Sequence, residues 1–288
     1  MDDLKIEETF IKTNGIRLHT VMAGPQSGPP FILLHGFPEF WRSWVRQLPA
    51  LVQAGCRVII PDQRGYNLSD KPKEIRSYHT DELTNDVLGL IDALDYEKVN
   101  LVGHDWGGIV GWVFASRHPK RVHRLGILSA PHPFVIRRFL RRDFDQMRRS
   151  LYALFFQLPW IPERLMSVNN WRGAVNALRG SGKIHTFTNE DIEKYKEAWS
   201  QPGAMTSMLN WYRAAARHFW QFPKEMKISV PTLVMWGMKD AALSYRMARP
   251  SLEFCAEGKL LYFPEATHWV QREEAEEVNS QLLEFVFT

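Results

Sequence analysis

The sequence predicts an α/β fold: a mainly parallel sheet with helices on both faces, interrupted by an inserted helical lid. Three observations carry this. Short apolar runs alternate with helix-period segments along the first part of the chain. That alternation stops once and then resumes. Polar residues of matched chemistry recur just past the apolar runs, where open parallel sheets carry their chemistry.

Residues 16–21 and 31–34 read as strands bounded by turn signals. Residues 44–54 have helical spacing and end at Gly55; residues 57–60 form a buried strand stopped by Pro61. Residues 80–94 carry Leu83, Val87, Leu90 and Leu94 on one helical face, with Asp81 and Glu82 in the first turn. Strands follow at 99–102 and 125–128, separated by a helix through residues 109–115. The alternation breaks at Ala130-Pro131-His132-Pro133 and resumes as a strand at 230–237, a strand at 259–263 and a helix at 278–287. The implied organisation is a core over residues 1–131 and 223–288, with a lid over 132–222. Composition separates the two. The lid holds 16 aromatics in 91 residues, about 18% against 12% for the whole chain. Fourteen Lys and Arg against seven Asp and Glu give it +7, which leaves the core at −3 of the chain's +4. An aromatic lid over a sheet edge suits an apolar pocket.

The bulk numbers exclude several classes. A formal charge of +4 with no zinc-finger, helix-turn-helix or RNP pattern argues against nucleic acid. Cys56 and Cys255 lack metal or disulfide spacing, so neither a metal site nor a cofactor motif is expected. No run approaches the ~20 apolar residues of a membrane helix, and no apolar leader follows Met1. The expectation is a soluble, cytoplasmic protein without membrane contact. Oligomeric state is left open. The run Arg137-Arg138-Phe139-Leu140-Arg141-Arg142, with Arg148-Arg149 beyond, reads as the solvated face of a lid helix; an anionic membrane is the alternative reading.

The most informative motif is Gly103-His104-Asp105-Trp106-Gly107-Gly108. Strand, tight Gly-flanked turn and helix is the layout of the G-x-S-x-G nucleophile elbow, but an aspartate replaces the serine. The plainer reading is a βα turn with a capping Asp. A carboxylate nucleophile forms an alkyl ester at carbon, which points to epoxide opening or halide displacement and away from serine-type esterases. The partners of such a nucleophile follow in the order acid, then His. Asp240 comes after a strand in Trp236-Gly237-Met238-Lys239-Asp240, and His268 is the only later histidine. His35-Gly36-Phe37-Pro38 follows the 31–34 strand, so the backbone N–H groups of Phe37 and Trp106 are assigned to an oxyanion hole. His35 and His104 read as supports of loop geometry. Phe37, Trp106, Ile109, Phe134 and Trp269 are candidate pocket walls.

With these residues in place the chain resembles a soluble-type epoxide hydrolase of the α/β-hydrolase fold, nearly end to end. The resemblance also rests on His35-Gly36-Phe37-Pro38-Glu39-Phe40-Trp41, on Asp62-Gln63-Arg64-Gly65-Tyr66-Asn67-Leu68-Ser69-Asp70-Lys71-Pro72, and on Phe156-Gln157-Leu158-Pro159-Trp160 and Leu209-Asn210-Trp211-Tyr212-Arg213 in the lid. It implies two lid tyrosines, Tyr152 and Tyr212, that donate hydrogen bonds to the epoxide oxygen. It implies Asp105 as nucleophile, His268 and Asp240 activating water, a small apolar epoxide as substrate, and no cofactor or metal. Haloalkane dehalogenase is the alternative; it shares Asp105 and Trp106 but needs no tyrosine pair. A catalytically inactive ligand-binding protein on the same fold is a second.

Overall fold

The computed structural model describes residues 4–218 and 225–287. Eight strands form one sheet: β1 (Ile6–Thr13), β2 (Ile16–Ala23), β3 (Pro30–Leu34), β4 (Arg57–Pro61), β5 (Val99–His104), β6 (Val122–Leu128), β7 (Thr232–Gly237) and β8 (Gly258–Phe263). Their spatial order is β1-β2-β4-β3-β5-β6-β7-β8. The pairs β1–β2 and β2–β4 are antiparallel, and all later pairs are parallel.

The central strands are apolar on both sides because both faces are covered. Side chains alternate across β3: Ile32 and Leu34 enter the larger core cluster, while Phe31 and Leu33 enter the second, on the opposite face. The helices of the core are α1 (Leu48–Gln53), α2 (Thr80–Ala93) and α3 (Trp106–Arg117), and after the lid α10 (Ala248–Leu252), α11 (Val270–Glu273) and α12 (Ala275–Phe287). Between β6 and β7 lie α4 (Pro133–Arg142), α5 (Phe144–Arg149), α6 (Leu151–Phe155), α7 (Ile161–Gly180), α8 (Asn189–Trp199) and α9 (Ala204–His218). They form the lid. Its expected end at residue 222 lies outside the described residues. Helix α7 is broken at Val168–Trp171, where Asn169, Asn170 and Trp171 have positive φ.

Three expectations need correcting. Strand β1 was not anticipated: most of its surface is exposed or half-buried, so its apolar pattern is faint. The Asn14-Gly15 pair does mark the hairpin. Both residues have positive φ (43° and 75°), as a two-residue primed turn requires, and Gly adopts it without a Cβ clash. The 44–54 helix divides into a 3₁₀ turn at Trp41–Trp44 and a shorter α1. Pro49 has no N–H to continue a helix from Val45, so it sits in the first turn of a new one. Pro61 ends β4 from within it, opposite Thr20 of β2, where a lost donor is tolerated.

Candidate active site

The site is built at the carboxyl ends of β3, β5, β7 and β8. Strand β5 delivers Asp105 at φ 51°, ψ −120°, a strained backbone that lifts the side chain off the sheet as α3 begins. Strands β3 and β5 are neighbours, with Leu34 opposite Gly103, so the loop after β3 runs beside the elbow. A Cβ on Gly36 would lie 2.5 Å from Asp105 Oδ1. Glycine there lets the next residue close in, and the Phe37 N–H donates to Asp105 Oδ1 at 2.9 Å. Trp106 is the first residue of α3, where backbone N–H groups have no partner within the helix.

On the other side of the carboxylate, His268 Nε2 lies 3.6 Å from Asp105 Oδ2. His268 Nδ1 lies 2.7 Å from Asp240 Oδ2. The second oxygen of Asp240 accepts from the N–H groups of Ala242 and Leu243, both at 2.8 Å. Asp240 therefore holds one ring nitrogen of His268 and turns the other toward Asp105. The Asp240 loop is braced from the lid: Arg149 donates to the Asp240 carbonyl at 2.6 Å. Gln146 donates to the Ala242 carbonyl and accepts from the Ser244 N–H, both at 2.9 Å.

Burial alone would raise the pKa of Asp105. Hydrogen bonding and charge from His268, with smaller help from His104 and the Phe37 N–H, hold it below the ordinary aspartate value. Burial opposes protonation of His268, yet Asp240 and Asp105 together raise it well above the usual histidine range. His268 thus lies between two carboxyl groups, both of which favour its charged form.

A cavity of about 630 Å³ opens over Asp105. Asp105, Trp106, Ile109, Tyr152 and Tyr212 all line it, with an otherwise mostly apolar wall from Pro131, Ile136, Leu140, Met147, Leu151 and Ala215. The rings of Tyr152 and Tyr212 meet edge to face at 5.9 Å, and Tyr212 meets Trp106 at 5.1 Å. Burial raises both phenols, Tyr152 further through the Asp105 charge and Tyr212 through Tyr152 and Asp105. Tyr212 is fixed by its neighbours in sequence. Trp211 Nε1 donates to the Arg64 carbonyl of the core at 3.0 Å. Arg213 donates to the carbonyls of Phe156 and Leu158 and pairs with Glu163 at 2.8 Å. One guanidinium thereby ties the two lid motifs together.

Three of the pocket-wall candidates are not in the cavity lining. The Phe37 ring packs against Phe156 and Tyr212, behind the wall. Phe134 meets His132 and Phe254. Trp269 is buried, donates from Nε1 to Ser181 at 3.0 Å, and meets His268 and Phe187 edge to face. It packs the lid onto the core behind His268. Each is an aromatic next to a motif, and adjacency in sequence says nothing about which face a side chain takes. The walls that were missed carried a signal: Ala215 and Ala216 lie one helical turn beyond Tyr212 on α9, and Ile136 and Leu140 are four apart on α4.

Behind His268 lies a buried polar network. The His104 ring meets that of His268, tilted, at 4.7 Å, and His104 Nε2 lies 2.9 Å from the His268 carbonyl, so that nitrogen carries the hydrogen. His104 Nδ1 is 3.2 Å from Glu39 Oε2. Glu39 accepts from Ser43 at 2.6 Å and from the Tyr195 hydroxyl of lid helix α8 at 2.7 Å. Arg272 pairs with Glu39 and Asp191, each at 3.4 Å, and donates to the Tyr195 oxygen and the Arg42 carbonyl, each at 3.0 Å. His35 serves its loop differently: Nε2 accepts from the Gln63 N–H, and burial lowers its pKa.

Comparison with known proteins follows the same geometry. Residues 29–275 match the alpha/beta hydrolase fold family. The chain is 37% identical to epoxide hydrolase 4 of Homo sapiens, covering 96% of this chain and 77% of that protein. The crystal structure of Bacillus megaterium epoxide hydrolase in complex with an inhibitor superposes with a TM-score of 0.89 at 30% identity, covering 97% of this chain and all of that one. The chain belongs to the epoxide hydrolases of the α/β-hydrolase fold. It is also 44% identical, over 99% of both chains, to the AB hydrolase superfamily protein YfhM of Bacillus subtilis (strain 168). The structure of epoxide hydrolase A from Mycobacterium thermoresistibile agrees at a TM-score of 0.86 and 31% identity, with 98% of each chain covered. The family likeness spans core and lid alike.

Proposed function

We propose that this epoxide hydrolase opens a small apolar epoxide to a vicinal diol through an ester formed on Asp105. The observation that carries the reading is one carboxylate with two sides. Oδ1 is held by the Phe37 N–H while Oδ2 faces His268, within an apolar cavity shared with two phenols.

Oδ2 of Asp105 attacks one epoxide carbon, forming a C–O bond as the ring C–O bond breaks. The departing oxygen takes a proton from Tyr152 or Tyr212 while the other phenol hydrogen-bonds to it. Burial and the Asp105 charge oppose ionisation of both phenols, so each carries the proton it would donate. Positioned acid catalysis of this kind contributes roughly 10²–10⁴-fold. Esterification removes the Asp105 charge, and with it part of what held the proton on His268, which passes that proton to the phenolate left by the first step. The neutral imidazole, oriented by Asp240, then takes a proton from water. The water oxygen attacks Asp105 Cγ, and the oxyanion rests on the N–H groups of Phe37 and Trp106. Losing one such donor costs about 10²–10³-fold. The acyl–oxygen bond breaks, the departing alkoxide takes the proton of the new Asp105 carboxyl by way of His268 and leaves as the diol, and Asp105 keeps the oxygen from water.

A single turnover in ¹⁸O-water tests this. The first diol should be unlabelled and Asp105 should gain the label. Label in that first diol would mean direct hydration. Release of halide from a haloalkane, with no diol from any epoxide, would favour the dehalogenase reading instead.

A further inference from the structure

We propose that the lid face around the cavity mouth docks on an anionic lipid bilayer, from which an apolar substrate can enter directly. The docking rests on the surface alone; the delivery rests on the function proposed above.

Helices α4, α5 and α6 pack in succession and form one rim of the cavity. Leu151 and Leu154 line the cavity and are also 57% and 67% exposed, so the mouth opens beside them. Phe144, the first residue of α5, is 87% exposed. Leu151 and Leu154 at the mouth of an apolar cavity, with Phe144 exposed on the adjoining helix, leave more large apolar surface in water than a soluble protein needs. The charge of the segment around them is net positive. Residues 132–160 contain six arginines and two acids. Both acids are engaged, Asp143 with Arg246 and Asp145 with Arg149. On α4, Ile136 and Leu140 face the cavity while Arg138 and Arg142 are exposed. Among the described residues, neither of these two forms an ion pair.

Exposed basic residues on the same run of helices as exposed apolar ones are what an interfacial segment presents to anionic headgroups. The apolar members decide between possible polyanions. A nucleic acid would answer the arginines but gives Phe144, Leu151 and Leu154 nothing to enter, whereas a bilayer accepts both. No helix among the described residues is long and apolar enough to cross a membrane, so the contact is peripheral.

The test is co-sedimentation with vesicles of phosphatidylcholine containing phosphatidylglycerol, against vesicles of phosphatidylcholine alone. The chain should sediment with the anionic vesicles at low salt and be released at ~1 M salt, where the screening length is about 3 Å. Each basic residue at such a surface is worth roughly fivefold in partitioning, so Arg138→Glu/Arg142→Glu should weaken binding at least about 30-fold. Phe144→Ser should weaken it separately. None of these residues lines the cavity, so turnover of a water-soluble epoxide should be unchanged, while turnover of an epoxide dissolved in anionic vesicles should fall. Three results would overturn the proposal: no sedimentation of the wild type at low salt, equal binding to both vesicle types, or equal binding by the double variant. Displacement by RNA with no effect of Phe144→Ser would make the face a nucleic-acid site and also overturn it. Any of these, with diol formation intact, would leave the proposed reaction standing.

Discussion

Replacing Arg272 with methionine tests how the lid and core are joined behind the histidine. Arg272 is fully buried and serves Glu39, Asp191, Tyr195 and the Arg42 carbonyl together. Methionine fills much of the space and removes the charge. Glu39, itself buried, then keeps only Ser43, Tyr195, Gln271 and His104. Removing one partner of a buried ion pair costs about 3–5 kcal/mol, because the remaining charge has lost its counterion and cannot reach water. With an unfolding entropy of about 0.6 kcal/mol per kelvin for 288 residues, this lowers Tm by about 5–8 °C. The sign of the pH dependence is fixed by Glu39. Burial alone would raise its pKa; His104, Arg272 and Ser43 hold it at about 2 instead of 4.5. Its contribution to stability is therefore present above about pH 4.5 and lost as pH falls toward 2. In the variant the carboxyl titrates higher. The Tm difference should be full near neutral pH and narrow on acidification, as protonation of Glu39 removes the need for a counterion. Differential scanning calorimetry of both proteins across that range measures it. A difference below about 2 °C at neutral pH, or one that does not change toward about pH 4, would refute the reasoning.

Two predictions concern the chemistry. Tyr152→Phe and Tyr212→Phe should each slow ester formation while one donor remains, and the double variant should lose about 10²–10⁴-fold; single-turnover rates that fall no further in the double variant would assign the proton elsewhere. His268→Gln should accumulate the ester on Asp105, visible by mass spectrometry as the protein plus one substrate. In the native enzyme, ester hydrolysis should rise with pH at a midpoint below the titration of His268 in the free enzyme, since esterification removes the carboxylate that raises it; equal midpoints would contradict that coupling.

Much of the site is legible in the sequence because each group stands on a strand-end loop that a local pattern locates. Asp105 is flagged by its glycines, Phe37 by the turn after β3, and Asp240 and His268 by chain order. The second lid tyrosine lies in a dense motif, and the structure explains the density: Trp211 and Arg213 grip core and lid on either side of Tyr212. What local pattern cannot supply is side-chain direction across long separations. Arg272 and Glu39 are 233 residues apart, and a lone arginine in a polar helix looks like surface. Phe134 and Trp269 fail as pocket walls for the same reason, since both are aromatics whose facing is decided by the packing of lid against core. Strand β1 escapes because an edge strand buries too little to leave a strong apolar alternation.

Gln146 and Arg149 grip the very loop that carries Asp240. Any movement of that part of the cover away from the sheet would break these three contacts, so its position and the placement of Asp240 are tied together.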